Sequence, residues 1–278
     1  PAGTTSCVLG SSSGIHPHHA KRYFRRVQAN SLEAPLQFFK TINPSAVEKS
    51  EWSANNTDEI ITFCIEVDGR TKNDLSAVEL LEYVKTTQQN WVNYGKRDEL
   101  CTQPYLTHNV SNTINVRPDE WEDIIDFIYN NRKYFAGISL IPQSGDLDYT
   151  QAPMTTIFEP KEIVKTYGDA SIFASGIIVE GLKLFDNNLW KACEFLLNPL
   201  DKNKDKKQWL DKCNQFSTRY FEGNTKEMTY CLKCVHNWKI WCDLKREYKD
   251  VDFSLMKEDT DETKPQREIA CAGGKCEI

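Results

Sequence analysis

The sequence predicts an α/β protein whose second half is mainly helical, and three features carry that prediction. β-branched stretches alternate with stretches of helical periodicity between residues 59 and 142. From Glu162 onward, small and apolar residues recur at helical spacing almost without interruption. The chain has 278 residues and is 40% hydrophobic, enough to bury a core as one large domain or two smaller ones.

The elements follow in order. Residues 1–13, PAGTTSCVLGSSS, are dense in Gly, Thr and Ser and read as a polar loop. Such a loop can offer amides and hydroxyls to a phosphate where a helix begins nearby, and it lacks the lysine of a P-loop. In the next stretch, GIHPHHAKRYFRRVQAN, Pro17 suits the first turn of a helix, and Lys21, Arg22, Arg25 and Arg26 then form one strongly basic helical segment. That segment is either a solvated face or an anion-facing one. EIITFCIEV, Glu59–Val67, alternates as a strand with Cys64 in the core. A helix follows to about Asn93, capped by Asn73, Asp74 or Ser76, with Leu80, Leu81, Val84 and Trp91 on its apolar side. Leu106–Val116 reads as a strand. A helix from Arg117 to Asn130 turns Trp121, Ile124, Ile125 and Ile128 inward, and Phe135–Pro142 reads as a short apolar strand. Strand, helix, strand, helix, strand is the order of a parallel α/β sheet or barrel. Beyond Pro153, helices are expected over Glu162–Phe185, Asn188–Leu197, Lys207–Tyr220 and Lys226–Tyr248, with Lys202–Lys207 as a charged turn.

Composition excludes some functions. A net charge of −6 argues against a nucleic-acid binder held by phosphate contacts. Apolar runs fall far short of the roughly 20 residues that span a membrane. Pro1–Ser13 carries neither the charged start nor the apolar run of a secretion signal. The ten cysteines lack the spacing of a disulfide framework, so a reducing cytoplasmic setting is expected, with most thiols buried as small hydrophobes. Because Pro1 opens directly on a glycine and hydroxyl cluster, the chain reads as the C-terminal piece of something longer.

Three constellations carry candidate chemistry. His16, His18 and His19 are possible metal ligands, but no Cys or carboxylate at helical spacing completes a set. Cys231, Cys234, His236 and Cys242 contain a C-x2-C spacing that suits zinc. In a continuous helix, however, Cys234 and His236 diverge by about 200°. At the end of the chain, Cys271 and Cys276 are separated by a segment containing Gly273 and Gly274, which let the two sulfurs meet. The stretch before them, Lys257–Glu268, is charged and has no apolar run. A flexible arm with a dithiol at its tip suggests electron delivery.

PAGTTS with GIHPHHAKRYFRRV, then HNVSNTINVRPDEW, FAGISLIPQSGDLDYTQAP and CAGGKCEI, in this order, resemble the C-terminal third of a ribonucleotide reductase large subunit. The match is to the adenosylcobalamin-dependent class II enzymes, and the region Glu159–Glu268 is its least diagnostic part. The resemblance implies the C-terminal part of a ten-stranded α/β barrel over residues 1–155, a helical region packed on it over 156–250, and a flexible redox tail over 251–278. It implies that Ala2, Gly3, Thr4, Thr5 and Ser6 bind the substrate's phosphates at a helix start. Cys271 and Cys276 would re-reduce an active-site disulfide and be recharged by thioredoxin or glutaredoxin. The substrate would be a ribonucleoside di- or triphosphate and the cofactor adenosylcobalamin. The radical-forming cysteine would lie in an N-terminal remainder of the same enzyme. Reductases that receive their radical from a small subunit carry a tyrosine pair where Ile141 and Pro142 stand here. That departure counts against a class I large subunit. A zinc or thiol redox-interaction protein is the remaining alternative.

Overall fold

In a computed structural model of the chain, residues 3–142, 146–201 and 203–257 are described. They divide into two units, 1–27 with 62–246 and 28–61 with 247–278.

In the first unit, α1 (Gly3–Leu9) is followed by β1 (Arg22–Asn30). The basic stretch is therefore a strand, where the sequence predicts a helix. Lys21, Arg22, Arg25 and Arg26 have helical spacing, but Tyr23, Phe24 and Val27 suit a pleated surface, and long-range pairing decides the outcome. β6 (Met154–Thr156) pairs antiparallel with β1, in the register Tyr23 to Thr156 and Arg25 to Met154. On the other side of β1 lies β3 (Asp58–Glu66), which realises the predicted strand. Phe24 turns to the opposite face and packs with Ile157 against Trp241.

A second layer is built on α3 (Ala77–Thr87), β4 (Ile114–Val116), α4 (Trp121–Asn131) and β5 (Leu140–Pro142). β4 and β5, which flank α4 in the chain, pair in parallel. Ser76 caps α3 with a complete capping box: its hydroxyl accepts from the Glu79 amide, and the Glu79 carboxylate accepts from the Ser76 amide. Leu80, Leu81, Val84, Ile114, Val116 and Ile124 form the core of this layer. Two predicted inward residues face solvent instead. Ile125 is 62% exposed, since only the stripe through Ile124 and Ile128 meets α3 and β4. Trp91 is 79% exposed because α3 continues as a π-helix over Gln88–Asn93, and the wider turn rotates it off the apolar face. The strands predicted over 106–116 and 135–142 shrink to three residues each. Asn112 replaces the missing ladder: its amide donates to the carbonyls of Val110 (2.8 Å) and Gly137 (2.9 Å) and accepts from the Ser139 amide (3.1 Å).

The predicted helical half is present as α5 (Pro160–Tyr167), α6 (Asp169–Leu184), α7 (Leu189–Leu197), α8 (Lys204–Phe221) and α9 (Thr225–Glu247). The single helix expected over 162–185 is two, broken at Gly168, whose φ of +55° ends α5. Trp209 of α8, 2% exposed, is the centre of their core, ringed by Phe185 and Phe195. Its Nε1 donates to the Ile177 carbonyl (3.1 Å), and it rests directly on Gly181 of α6. A β-carbon at Gly181 would meet the indole at 2.7 Å, so the close approach requires glycine. No helix among the described residues is long and apolar enough to cross a membrane.

In the second unit, α2 (Ala34–Ile42) leads into β2 (Val47–Lys49), which pairs antiparallel with the start of β3. The Asn43 side chain and the Lys249 backbone exchange two hydrogen bonds, at 2.9 and 2.8 Å. Phe38 packs against Phe253, and Ser45 donates to Glu247. The described strands form a four-stranded sheet, β2-β3-β1-β6, and the β4-β5 pair. Antiparallel pairing at β2/β3 and β1/β6 departs from the parallel sheet expected. No closed barrel is formed among the described residues.

Candidate functional site

The polar concentration of the first unit lies at the N-terminal end of β1. Asp146, on the turn before β6, accepts from His19 Nε2 at 2.8 Å and from Lys72 Nζ at 3.1 Å. It also accepts from the Thr156 amide at 2.9 Å and the Thr156 hydroxyl at 2.5 Å. The ring of Tyr23, cross-strand partner of Thr156, is 5.6 Å from that of His19. All three ionisable side chains are largely buried, at 14–17% exposure. Burial alone would push the Asp146 carboxyl up. The hydrogen bond and charge of His19, then Lys72 and Thr156, outweigh it and hold the group well below the usual carboxylate range. An ionised carboxylate only accepts, so the proton between it and His19 sits on Nε2. Lys72, 3.3 Å from the same nitrogen, therefore donates to Asp146 and not to the imidazole.

The other histidines have separate duties. His16 spans the Ser13 carbonyl (2.9 Å) and the Thr113 amide (3.0 Å). His18 forms a backbone bridge with Thr71. No group of three or more metal-ligating side chains is assembled among the described residues. At the second candidate cluster, α9 is continuous, and Cys231 and Cys234 are buried thiols. Desolvation pushes both up to about 12, the opposite of what a metal-bound thiolate needs. The basic residues of β1 are largely engaged in structure. Arg22 pairs with Glu162 (3.0 Å) and Glu159 (3.5 Å), and Arg26 donates to the Ala152 carbonyl and the Thr155 hydroxyl.

Of the predicted phosphate loop, Gly3, Thr4, Thr5 and Ser6 fall in α1, which begins at Gly3. Thr5 is exposed and Ser6 buried, and the Ser6 carbonyl accepts from the Ser11 amide at 3.0 Å. Ala2, Cys271 and Cys276 lie outside the described residues. Sequence reasoning missed Asp146 and Lys72 entirely. The signal was present in SGDLDYT, a carboxylate beside a small-residue turn, but its partners are 127 and 74 positions away.

No protein-family profile matches the chain. Over 159 residues, 56% of its length, it is 28% identical to the adenosylcobalamin-dependent ribonucleoside-triphosphate reductase of Levilactobacillus brevis. The match spans 19% of that protein, so the chain corresponds to about a fifth of its curated relative. A crystal structure of a B12-dependent (class II) ribonucleotide reductase aligns with a TM-score of 0.41 and 21% identity, over 60% of this chain and 22% of that one. The curated relative thus comes from the family that the sequence motifs resemble, the adenosylcobalamin-dependent ribonucleotide reductases.

Proposed function

We propose that the chain is part of an adenosylcobalamin-dependent ribonucleotide reductase and that the complete enzyme reduces ribonucleoside triphosphates to deoxyribonucleotides. The observation that carries this reading is the ordered set of motifs together with the 28% identity to a protein of that name. The cofactor would supply the initiating radical. The pocket between α3 and α4 does not fit it. That pocket measures about 420 Å³ and is lined by Glu120, Asp123 and Asp126, too small and too acidic for a corrinoid. No step through the cofactor is assigned to that pocket.

Two parts of this chain take roles in the proposal. At the start of α1, the first amides have no intrahelical partner and point at whatever lies before Gly3. Ala2, Gly3, Thr4, Thr5 and Ser6 would hold phosphate oxygens there, within the expected barrel portion over residues 1–155. Cys271 and Cys276 would carry reducing equivalents. One tail thiolate attacks the active-site disulfide, and the second resolves the mixed disulfide. Two electrons pass inward and the tail leaves oxidised, to be reduced again by a thioredoxin or glutaredoxin.

The test uses the complete enzyme carrying Cys271→Ser and Cys276→Ser. Turnover driven by thioredoxin should collapse while a single turnover, supported by the prereduced active site, survives. Equal loss of both would overturn the shuttle role. Absence of cobalamin-dependent reduction in the unmodified enzyme would overturn the reductase reading itself.

A further inference from the structure

Asp146 sits on a turn that α9 grips from one side. Lys226, Tyr230 and Lys233 follow at helical spacing, so they share a face of α9. Lys233 Nζ donates to the Leu147 carbonyl at 2.7 Å. The Tyr230 hydroxyl donates to Asp148, and Lys226 approaches the same carboxylate at 3.4 Å. Between these polar contacts, the Leu147 side chain is buried against Ile163 and Cys234. The residue next to Asp146 is thus held through its backbone and its side chain, and the one after it through its carboxylate. Consecutive α-carbons are about 3.8 Å apart, so fixing residues 147 and 148 restricts where the Asp146 backbone can lie, and with it the base from which the carboxylate reaches His19.

Lys233 is the unusual member. It is 5% exposed, its ammonium donates to the Leu147 carbonyl, and the same group lies 3.7 Å from the centre of the Trp190 ring. Burial, the leading influence, pushes its proton affinity down. A methionine would fill the same space without that desolvation cost. Packing alone does not explain a charge here. A hydrogen bond aimed at the turn beside Asp146 does.

We propose that Lys233 and Tyr230 are positioning residues, which fix the turn carrying Asp146 and through it the hydrogen bond that orients His19. The inference goes beyond the reductase reading and does not depend on it. Thr156 and Lys72 hold the carboxylate from β6 and from the stretch before α3, and α9 holds the backbone of the adjoining Leu147.

The experiment follows the His19 Nε2 proton by NMR in the 278-residue chain labelled at its five histidines, with His19→Gln for assignment and Asp146→Ala marking complete loss. Exchange of this proton with water should rise at least tenfold in Lys233→Met and severalfold in Tyr230→Phe, and Lys233→Arg should recover most of the protection. A purely structural role would lower the melting temperature without moving the exchange. Rates within twofold of the unmodified chain in both variants would therefore overturn the proposal, as would an unprotected proton in the unmodified chain. If Lys233→Met does not fold, Tyr230→Phe decides alone, because it removes a single hydroxyl at the edge of the grip.

Discussion

His236 lies on α9 with its Nδ1 buried and without a hydrogen-bond partner. Burial, and after it the charge of Lys239, pushes the imidazole from 6.5 down to about 4. Between those two values the unfolded chain carries a proton on this ring and the folded chain does not. The contribution to stability is therefore complete above pH 6.5 and is lost as the pH falls toward 4. Working the two proton affinities through linkage, the loss at pH 5 relative to pH 7.5 is about 2 kcal/mol, with a ceiling of roughly 3 kcal/mol near pH 4. His236→Leu removes the titration and the orphaned nitrogen together. Urea unfolding of both chains across this pH range checks the value. The variant should gain on the unmodified chain by about 2 kcal/mol between pH 7.5 and pH 5. Parallel pH curves would refute the reasoning, since they would mean that the ring titrates normally in the fold.

Gly181→Ala puts a methyl group against the Trp209 indole, and the overpacking should cost about 1–3 kcal/mol, more than the roughly 1 kcal/mol gained in helix propensity. Urea midpoints read the sign, and a stabilised variant would show that α6 and α8 can part. Ser76→Ala removes the α3 capping box and should cost about 1 kcal/mol by the same measurement. Among the cysteines whose burial is described, thiol labelling at neutral pH should modify exposed Cys101 before the buried ones. Cys193, Cys213, Cys231 and Cys234, buried and pushed up to about 12, should react only after denaturation, as mass spectrometry of time points would show.

The helical half was legible because its information is local. Residues such as Leu189, Ala192, Cys193 and Leu196 mark a buried stripe at helical spacing, and Asn188 caps α7, whereas α8 starts at Lys204 behind an Asn203 cap, inside the stretch Lys202–Lys207 expected as a charged turn. The break at Gly168 escaped because apolar spacing continues through it. β1 was misread for a different reason. Its arginines have helical spacing, while the pairing that makes it a strand comes from Met154–Thr156, more than 120 positions away. The cluster around Asp146 was illegible on the same grounds. His19 drew attention as a possible metal ligand, but the group it meets is a single carboxylate on a turn far along the chain. The Cys271 and Cys276 pair rests on sequence and resemblance, and the fold of residues 3–257 neither adds to that reading nor subtracts from it.

The paired hydrogen bonds between Asn43 and Lys249 have a consequence for the proposed electron delivery. They join positions 206 residues apart just where the chain leaves α9, and Phe253 packing on Phe38 continues the attachment. Whatever follows Leu255 therefore departs from a moored point instead of from the frayed end of a long helix. Fifteen residues lie between Leu255 and Cys271, so a fully extended link would let the dithiol reach no further than roughly 55 Å from that mooring. Under the proposed shuttle role, a tail thiol would meet its target at an effective concentration set by the number of residues linking it to that mooring, independent of how much enzyme is present. Lengthening or shortening the residues between 257 and 270 would then tune the rate of electron delivery with no change to either sulfur.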